Sequence, residues 1–305
     1  MTNMPTKPLD VDASGNESPL RRFAAEFLES RVAATALGIL LLLVALAVTA
    51  PWFVPQNPYD LAQVDVLDSR LPPGTASTYG YTFWLGTDGA GRDLLSAMLY
   101  GLRISLFVGV MSGFIAMALG TAVGLIAAYV GGRVETLIMR LVDLQLSFPA
   151  ILIALIMIAV MGKGIDKIVF ALVTVQWAYY ARTVRGSALV ERKKEYVEAA
   201  RCLGLSNARI VFRHILPNVL PPLIVVVTVQ TAHAIALEAT LSFLGVGLPQ
   251  TEPSLGLLIS NGFEYMLSGK YWISFFPGIV LLVTIVVINL VGDQLRDVLN
   301  PRLQK

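Results

Sequence analysis

A glycine-rich segment is the first pattern in this chain that could do chemistry. Gly86 and Gly91 are separated by four residues, the spacing of a P-loop whose backbone N–H groups cradle phosphate. Arg92 replaces the P-loop lysine, and Asp93 replaces the hydroxyl residue that contacts magnesium. A carboxylate at that position repels phosphate when no metal is bound. The segment therefore predicts a glycine-rich turn before an amphipathic helix from Leu94 to Tyr100, and not a nucleotide site.

No other group of side chains suggests catalysis. The two histidines, His214 and His233, have no cysteine or carboxylate at metal-ligand spacing, and no nucleophile has a neighbouring base. Cys202 is the only cysteine, so an intrachain disulfide is impossible. We therefore predict a chain without enzyme activity that binds no cofactor and no metal.

Polar side chains inside long apolar runs are the second group of interest. A carboxylate in lipid costs roughly 2–3 kcal/mol or more, so such a group should face the protein interior or lie near an interface. Two interpretations stay open, a lining of a solute path and a set of buried, hydrogen-bonded packing groups. The candidates for the path are Gln176, Tyr179, Gln230 and Glu238.

The elements that must position these residues are membrane helices. Of the 305 residues, 55% are hydrophobic and only 14% are charged, whereas soluble domains carry about 25% charged residues. The sequence predicts an all-α integral membrane protein. The apolar runs predict six transmembrane spans, at about 32–54, 104–130, 137–161, 168–181, 219–237 and 275–291.

Two features predict how the spans pack. Four glycines in the second span fall on one helix face, and two of their intervals are GxxxG, a pattern that favours close packing of a neighbouring helix. They are Gly109, Gly113, Gly120 and Gly124. In the third span, Arg140 and Asp143 are spaced to pair on one face, and Pro149 predicts a kink.

A charged stretch interrupts the apolar sequence after the fourth span. Lys194 to Cys202 is strong helix-forming sequence, Gly204 is a turn residue, and Asn207 to Phe212 can resume a helix that Pro217 should stop. Ala199 and Ala200 should leave a bare surface for a partner. By charge alone the stretch equally fits a solvated loop on the cytoplasmic side.

The spacing in this stretch resembles the coupling motif of ATP-binding cassette (ABC) importer permeases. The residues that carry the resemblance are Glu198, Ala199, Ala200, Gly204, Leu216 and Pro217. His214 departs from the family, which usually has an apolar residue there. The segment Leu85 to Asp93 is similar to the one that leads into the membrane in peptide-type permeases. The resemblance implies a type I ABC importer transmembrane-domain fold, with a cytoplasmic coupling helix between spans four and five that docks on an ATPase subunit.

The charge distribution agrees with that orientation. With the N-terminus inside, the predicted inner side holds 17 of the 23 lysines and arginines. The expected organisation is a cytoplasmic tail at 1–31, a first anchor at 32–54, a periplasmic segment and the helix that leads into the membrane at 55–100, a transmembrane type-1 domain at 101–292 with its coupling loop at about 186–218, and a cytoplasmic tail at 293–305.

Taken as a member of this family, the chain is expected to be the C-type permease subunit of a dipeptide/oligopeptide importer in a bacterial inner membrane. The resemblance implies a second, homologous permease, two ATPase subunits that bind ATP and magnesium, a periplasmic solute-binding protein, and no nucleic acid. Nickel, glutathione or another small solute is the alternative cargo. A proton-coupled secondary transporter that uses Glu238 or Asp143, and a non-transporting scaffold, are the alternatives of another class.

Overall fold

A computed structural model describes residues 19–77 and 80–299, most of them in helices. Two helices form the N-terminal part, α1 (Pro19–Glu29) and α2 (Arg31–Phe53). The Ser30 hydroxyl accepts a hydrogen bond from Ala33 N and caps α2. Phe27 of α1 is buried against the end of the last helix, beside Val298, so α1 packs on the bundle. The first 18 residues and the last six lie outside the described residues.

The loop between α2 and α3 is irregular and holds the described strands. It contains two 3₁₀ turns, Leu61–Gln63 and Val66–Asp68. It also contains a short antiparallel hairpin of β1 (Thr75–Ala76) and β2 (Thr82–Phe83), with Thr75 opposite Phe83.

The remaining helices form the bundle. A π turn, Val211–Ile215, joins α8 to α9, and a 3₁₀ turn, Met266–Ser268, precedes the last helix. The helices are α3 (Leu94–Val130), α4 (Gly132–Ser147), α5 (Ala150–Met161), α6 (Ile165–Glu191), α7 (Glu195–Cys202), α8 (Asn207–Ile210), α9 (Leu216–Phe243), α10 (Leu255–Phe263) and α11 (Trp272–Leu299).

The predicted count of six spans is not confirmed. Within the described residues, four helical runs are long and apolar enough to cross a membrane, and five if the bent pair α4–α5 counts as one. The four are α2, α3, the run Asn207–Phe243 and α11. Helix α6 has 27 residues but does not join this set. It carries Arg182 and Arg185 in its second half, which lowers its apolar character.

The predicted third span is two helices and not one kinked helix. The axes of α4 and α5 differ by 90° at Phe148 and Pro149. Phe148 is extended, with φ −90° and ψ 142°, because the ring of a following proline disfavours the helical region. The predicted pairing of Arg140 with Asp143 is also wrong, since Asp143 pairs with Arg182 of α6.

The glycine face of α3 makes the close contacts that the sequence predicts. A Cβ on Gly109 would lie 2.6 Å from Ile235 of α9, and one on Gly120 would lie 2.5 Å from Trp177 O of α6. Gly113 likewise faces α9, and Gly124 faces α6. The missing side chains therefore let α3 approach two helices at once. The boundary predicted at residue 101 falls inside this helix, which runs unbroken through 37 residues.

Candidate functional site

The charged stretch forms a short helix that ends in a left-handed turn. Helix α7 has Glu195 and Glu198 in its first turn and Arg201 in its last turn. Both placements stabilise the helix, because each charge is opposite in sign to the end of the helix dipole beside it. At its end, Gly204 has φ +70° and Leu205 N donates to Ala200 O at 3.2 Å. Glycine adopts this conformation without strain.

The two faces of α7 have different environments. Val197 and Ala200 are buried in one cluster with Ile210 and Ile215 of the following segment. Glu198, Ala199 and Gly204 are exposed, and the neighbouring Leu203 is 80% exposed. The predicted bare surface is therefore formed by Ala199 and not by Ala200, which anchors α7 to its own chain.

Pro217 does not stop the helix that follows. The run continues from α8 through the π turn into α9, with Leu216 half-buried and Pro217 exposed. In the π turn, Leu216 N donates to Val211 O, five residues back, so the hydrogen-bond register changes just before the proline. The Asn218 side chain then donates to His214 O at 2.7 Å. This side-chain bond holds the carbonyl of a π-turn residue three positions before Pro217.

Tyr196 connects α7 to α6 and α9, a role that the sequence analysis missed. Its hydroxyl donates to Glu191 Oε2 at 2.6 Å and accepts a hydrogen bond from Asn218 Nδ2 at 3.3 Å. Lys194 Nζ lies 2.6 Å from the other oxygen of Glu191. Glu191 ends α6, and Asn218 lies in the first turn of α9. The only signal in the sequence is a lone aromatic residue in a charged loop.

The ionisation states of Glu191 and Tyr196 make the tyrosine hydroxyl the hydrogen-bond donor. Burial raises the pKa of Glu191, but the hydrogen bonds from Lys194 and Tyr196 and the charge of Lys194 outweigh it and hold the pKa below its usual value. Burial, together with the hydrogen bond and charge of Glu191, raises the pKa of Tyr196 to about 12. At neutral pH Glu191 is therefore an anion and Tyr196 is protonated.

Helix α3 also contacts this segment. Arg192 Nη1 donates to Ala128 O at 2.8 Å, and its guanidinium lies 5.6 Å from the centre of the Tyr129 ring. The Tyr129 hydroxyl donates to Asn207 Oδ1 of α8. The last turn of α3 is thus joined to both ends of the segment that contains α7.

A cleft of about 590 Å³ opens between α6, α9 and α11. Two of the four predicted path residues, Tyr179 and Gln230, line it. Gln176 is buried, and its Nε2 donates to Gln230 O at 2.9 Å. The other lining residues are Thr183, Pro221, Pro222, Val225, Val226, Val229, Asp293, Arg296 and Leu299.

Glu238 lies inside the chain and not on the cleft. It is fully buried, and its carboxylate oxygens accept hydrogen bonds from Ser105 of α3 at 2.9 Å and from Ser242 at 2.7 Å. Of the two open interpretations, the structure supports the buried packing group. The contact joins α3 to the end of α9.

The placement of Glu238 gives a prediction that separates two transport mechanisms. Glu238→Gln keeps an oxygen that accepts a hydroxyl hydrogen bond, so we expect uptake within about twofold of wild type. Glu238→Leu leaves the buried hydroxyls without their acceptor and should destabilise the fold by about 1–3 kcal/mol. Transport in proteoliposomes and thermal unfolding measure the two effects. A loss of uptake in a stable Glu238→Gln variant would instead indicate that the carboxyl carries protons.

The glycine-rich segment before α3 is used to build the turn itself. Asp88 Oδ1 accepts hydrogen bonds from Ala90 N at 2.8 Å and from Arg92 N at 3.0 Å, so these N–H groups point at the chain's own carboxylate. Asp93 caps α3 by accepting from Ser96 N. Burial raises the pKa of the Asp88 carboxyl, against the charge of Arg92 and the backbone N–H groups. The carboxylates of Asp88 and Asp93 therefore stabilise the glycine-rich turn and the start of α3.

Comparison with known proteins identifies the family. Residues 120–305 match the model of the binding-protein-dependent transport system inner membrane component. The chain belongs to this family. Residues 18–73 of the permease also match the N-terminal transmembrane domain of oligopeptide transport permease C. The chain is therefore a permease subunit of an ABC importer, a transport component and not an enzyme, and the family implies ATPase and solute-binding partners.

Relatives of the permease cover almost its whole length. It is 41% identical to a Brucella suis protein named as a peptide transport system permease, over 94% of each chain. It is 36% identical to the di/tripeptide transport system permease protein DppC of Pseudomonas aeruginosa, over 94% of this chain and 93% of the relative. The glutathione transport system permease protein GsiD of Pectobacterium atrosepticum is also 36% identical, over 94% and 92%.

A solved structure supports the fold of the permease. A chain of the MetNI methionine ABC transporter in an inward-facing conformation superposes with a TM-score of 0.55 at 21% identity. The match covers 67% of the permease and 96% of that chain. The predicted type I importer fold is therefore confirmed, although the number of spans is not.

Proposed function

We propose that this permease forms half of a translocation path for di- and oligopeptides. The observation that carries the proposal is its likeness, along 94% of its length, to permeases named for peptide and di/tripeptide transport. A second, homologous permease supplies the other half. The cleft between α6, α9 and α11 is this chain's share of the path, with Tyr179 and Gln230 on its wall.

The ATPase subunit docks on the exposed face of α7. Glu198, Ala199 and Gly204 present a small, open surface, and the exposed Leu203 beside them offers an apolar contact. Leu216 and Pro217 lie where the segment continues into α9. Because α7 is anchored by Val197 and Ala200 to its own chain, movement of an ATPase bound to α7 reaches the membrane helices.

The transport cycle follows from this arrangement. Two partner ATPases bind ATP and magnesium and close on each other. The α7 segment transmits the movement, the two permeases open outward, and the solute-binding protein delivers its cargo from the periplasm. Hydrolysis resets the path. Both termini lie in the cytoplasm in this proposal, which the excess of lysine and arginine on the predicted inner side supports.

Glutathione is the second candidate cargo, because the glutathione permease is as similar to this chain as the di/tripeptide permease is, at 36% identity each. Nickel is a further alternative within the same architecture. Uptake of a labelled dipeptide, glutathione and nickel by proteoliposomes that hold the whole transporter distinguishes them. Dipeptide uptake competed by other peptides supports the main proposal, and uptake of glutathione alone overturns it.

The only cysteine of the chain is a built-in probe of ATPase docking. Cys202 is exposed on α7, beside the proposed contact. A membrane-impermeant maleimide should label it from the cytoplasmic side, and bound ATPase should slow labelling at least tenfold, because the contact excludes solvent. Mass spectrometry measures the labelled fraction. Labelling from the periplasmic side, or an unchanged rate in the assembled transporter, contradicts the proposal.

A further inference from the structure

One hydroxyl is hydrogen-bonded to both walls of the cleft. The wall formed by α6 carries Tyr179 and ends at Glu191, which accepts from Tyr196 at 2.6 Å. The wall formed by α9 carries Pro221, one turn after Asn218, which donates to Tyr196 at 3.3 Å. Tyr196 itself belongs to α7. A single side chain thus joins the helix that faces the partner to the two helices that border the path.

We propose that Tyr196 is a positioning residue that makes α6, α7 and α9 move together when the ATPases close. The inference rests on the proposed function, since it assigns a part of the coupling step to one residue. It goes beyond the coupling motif, because Tyr196 lies outside the residues that carry that resemblance.

The strength of the connection differs on its two sides. The bond to Glu191 is short and charge-assisted, and the Glu191 side chain is only 11% exposed. The bond from Asn218 is longer, but the same amide also holds His214 O at 2.7 Å. The Tyr196 ring lies 6.4 Å from the His214 ring, which adds a contact to the π turn. Removing the hydroxyl therefore separates the hydrogen-bonded connection from the ring contact.

The lengths of the helices explain why this connection matters. About 18 Å of helix separates Glu191 from Tyr179 at 1.5 Å per residue. If α7 tilts the end of α6, the resulting displacement of α6 grows with the distance from that end. It is therefore larger at the cleft than at Glu191. If α7 moved only the α9 side, one wall would shift and the other would stay, and the cleft would not open symmetrically.

The test is Tyr196→Phe in the complete reconstituted transporter. The ring stays and the hydroxyl is lost, so we expect solute uptake per ATP hydrolysed to fall about tenfold. Protection of Cys202 by the ATPases should remain, because the docking face is unchanged. A ratio within about twofold of wild type overturns the inference. A wild-type transporter whose ATPases do not protect Cys202 overturns the proposed function instead.

Two further variants make the test specific. Asn218→Ala removes the α9 side of the connection and should give the same defect, and the double variant should be no worse than either one, because the residues act as a unit. A larger, additive loss in the double variant overturns the inference. Tyr271→Phe removes a hydroxyl from an exposed tyrosine just before α11 and serves as the matched control, with an unchanged ratio expected.

Discussion

Replacement of Gly204 by valine should reduce ATP hydrolysis stimulated by the solute-binding protein about 100-fold. Gly204 has φ +70°, and nothing lies within 4 Å of a Cβ placed there, so backbone conformation and not space decides the effect. A β-branched residue in the left-handed region costs on the order of 3 kcal/mol, which corresponds to about 100-fold. The turn would leave this conformation and α7 would change its position on Ile210 and Ile215. Hydrolysis by the reconstituted transporter measures the loss.

Two controls assign the effect to the turn. Asparagine tolerates the left-handed conformation, so Gly204→Asn should keep most of the stimulated hydrolysis. Gly186 also has open space around it but lies in α6 with an ordinary helical backbone, and Gly186→Ala should leave the activity unchanged. Wild-type stimulation in Gly204→Val would show that the turn takes no part in coupling.

The second large effect concerns folding. Gly120→Ala should destabilise the permease by about 3 kcal/mol, because the new Cβ would lie 2.5 Å from both Trp177 O and Tyr180 Cβ of α6. Neither the backbone nor a fully buried ring can move away without separating α3 from α6. Thermal unfolding in detergent, followed by tryptophan fluorescence, should show a midpoint about 6–12 °C lower.

A matched glycine provides the comparison. Gly278 lies in α11, and a Cβ placed on it would have nothing within 4 Å. Gly278→Ala should therefore unfold at the wild-type temperature or slightly above it, since alanine favours helix. Equal midpoints for the two variants would contradict the close approach of α3 and α6.

Features set by local sequence were predictable. Helix α7 and its left-handed turn follow from helix propensity and one glycine, and the glycine face of α3 follows from periodicity alone. The role proposed for α7, coupling to an ATPase, came from the family resemblance and could not be read from helix propensity. Within the cleft, Tyr179 and Gln230 stood out because polar groups in apolar runs need a reason to be there.

Features set by distant partners were not predictable. The size of the bend at Pro149, 90°, does not follow from the proline alone, and Asp143 pairs with Arg182 of α6 and not with Arg140. Pro217 was predicted as a helix stop because a single sequence does not show that a π turn changes the hydrogen-bond register just before it. Tyr196 was missed for the same reason, since its partners lie on two other helices.

Helix α3 is longer than a bilayer requires, and its surplus has a mechanical consequence. Its 37 residues extend about 55 Å at 1.5 Å per residue, against roughly 30 Å of hydrocarbon. Asp93 N donates to Gln56 Oε1 at 2.6 Å and fixes one tip, and Tyr129 and Ala128 fix the other to the segment around α7. A rotation of this rod about its axis turns both tips by the same angle. The two aqueous ends of the protein are therefore coupled through α3, and a rotation imposed at one end is also made at the other.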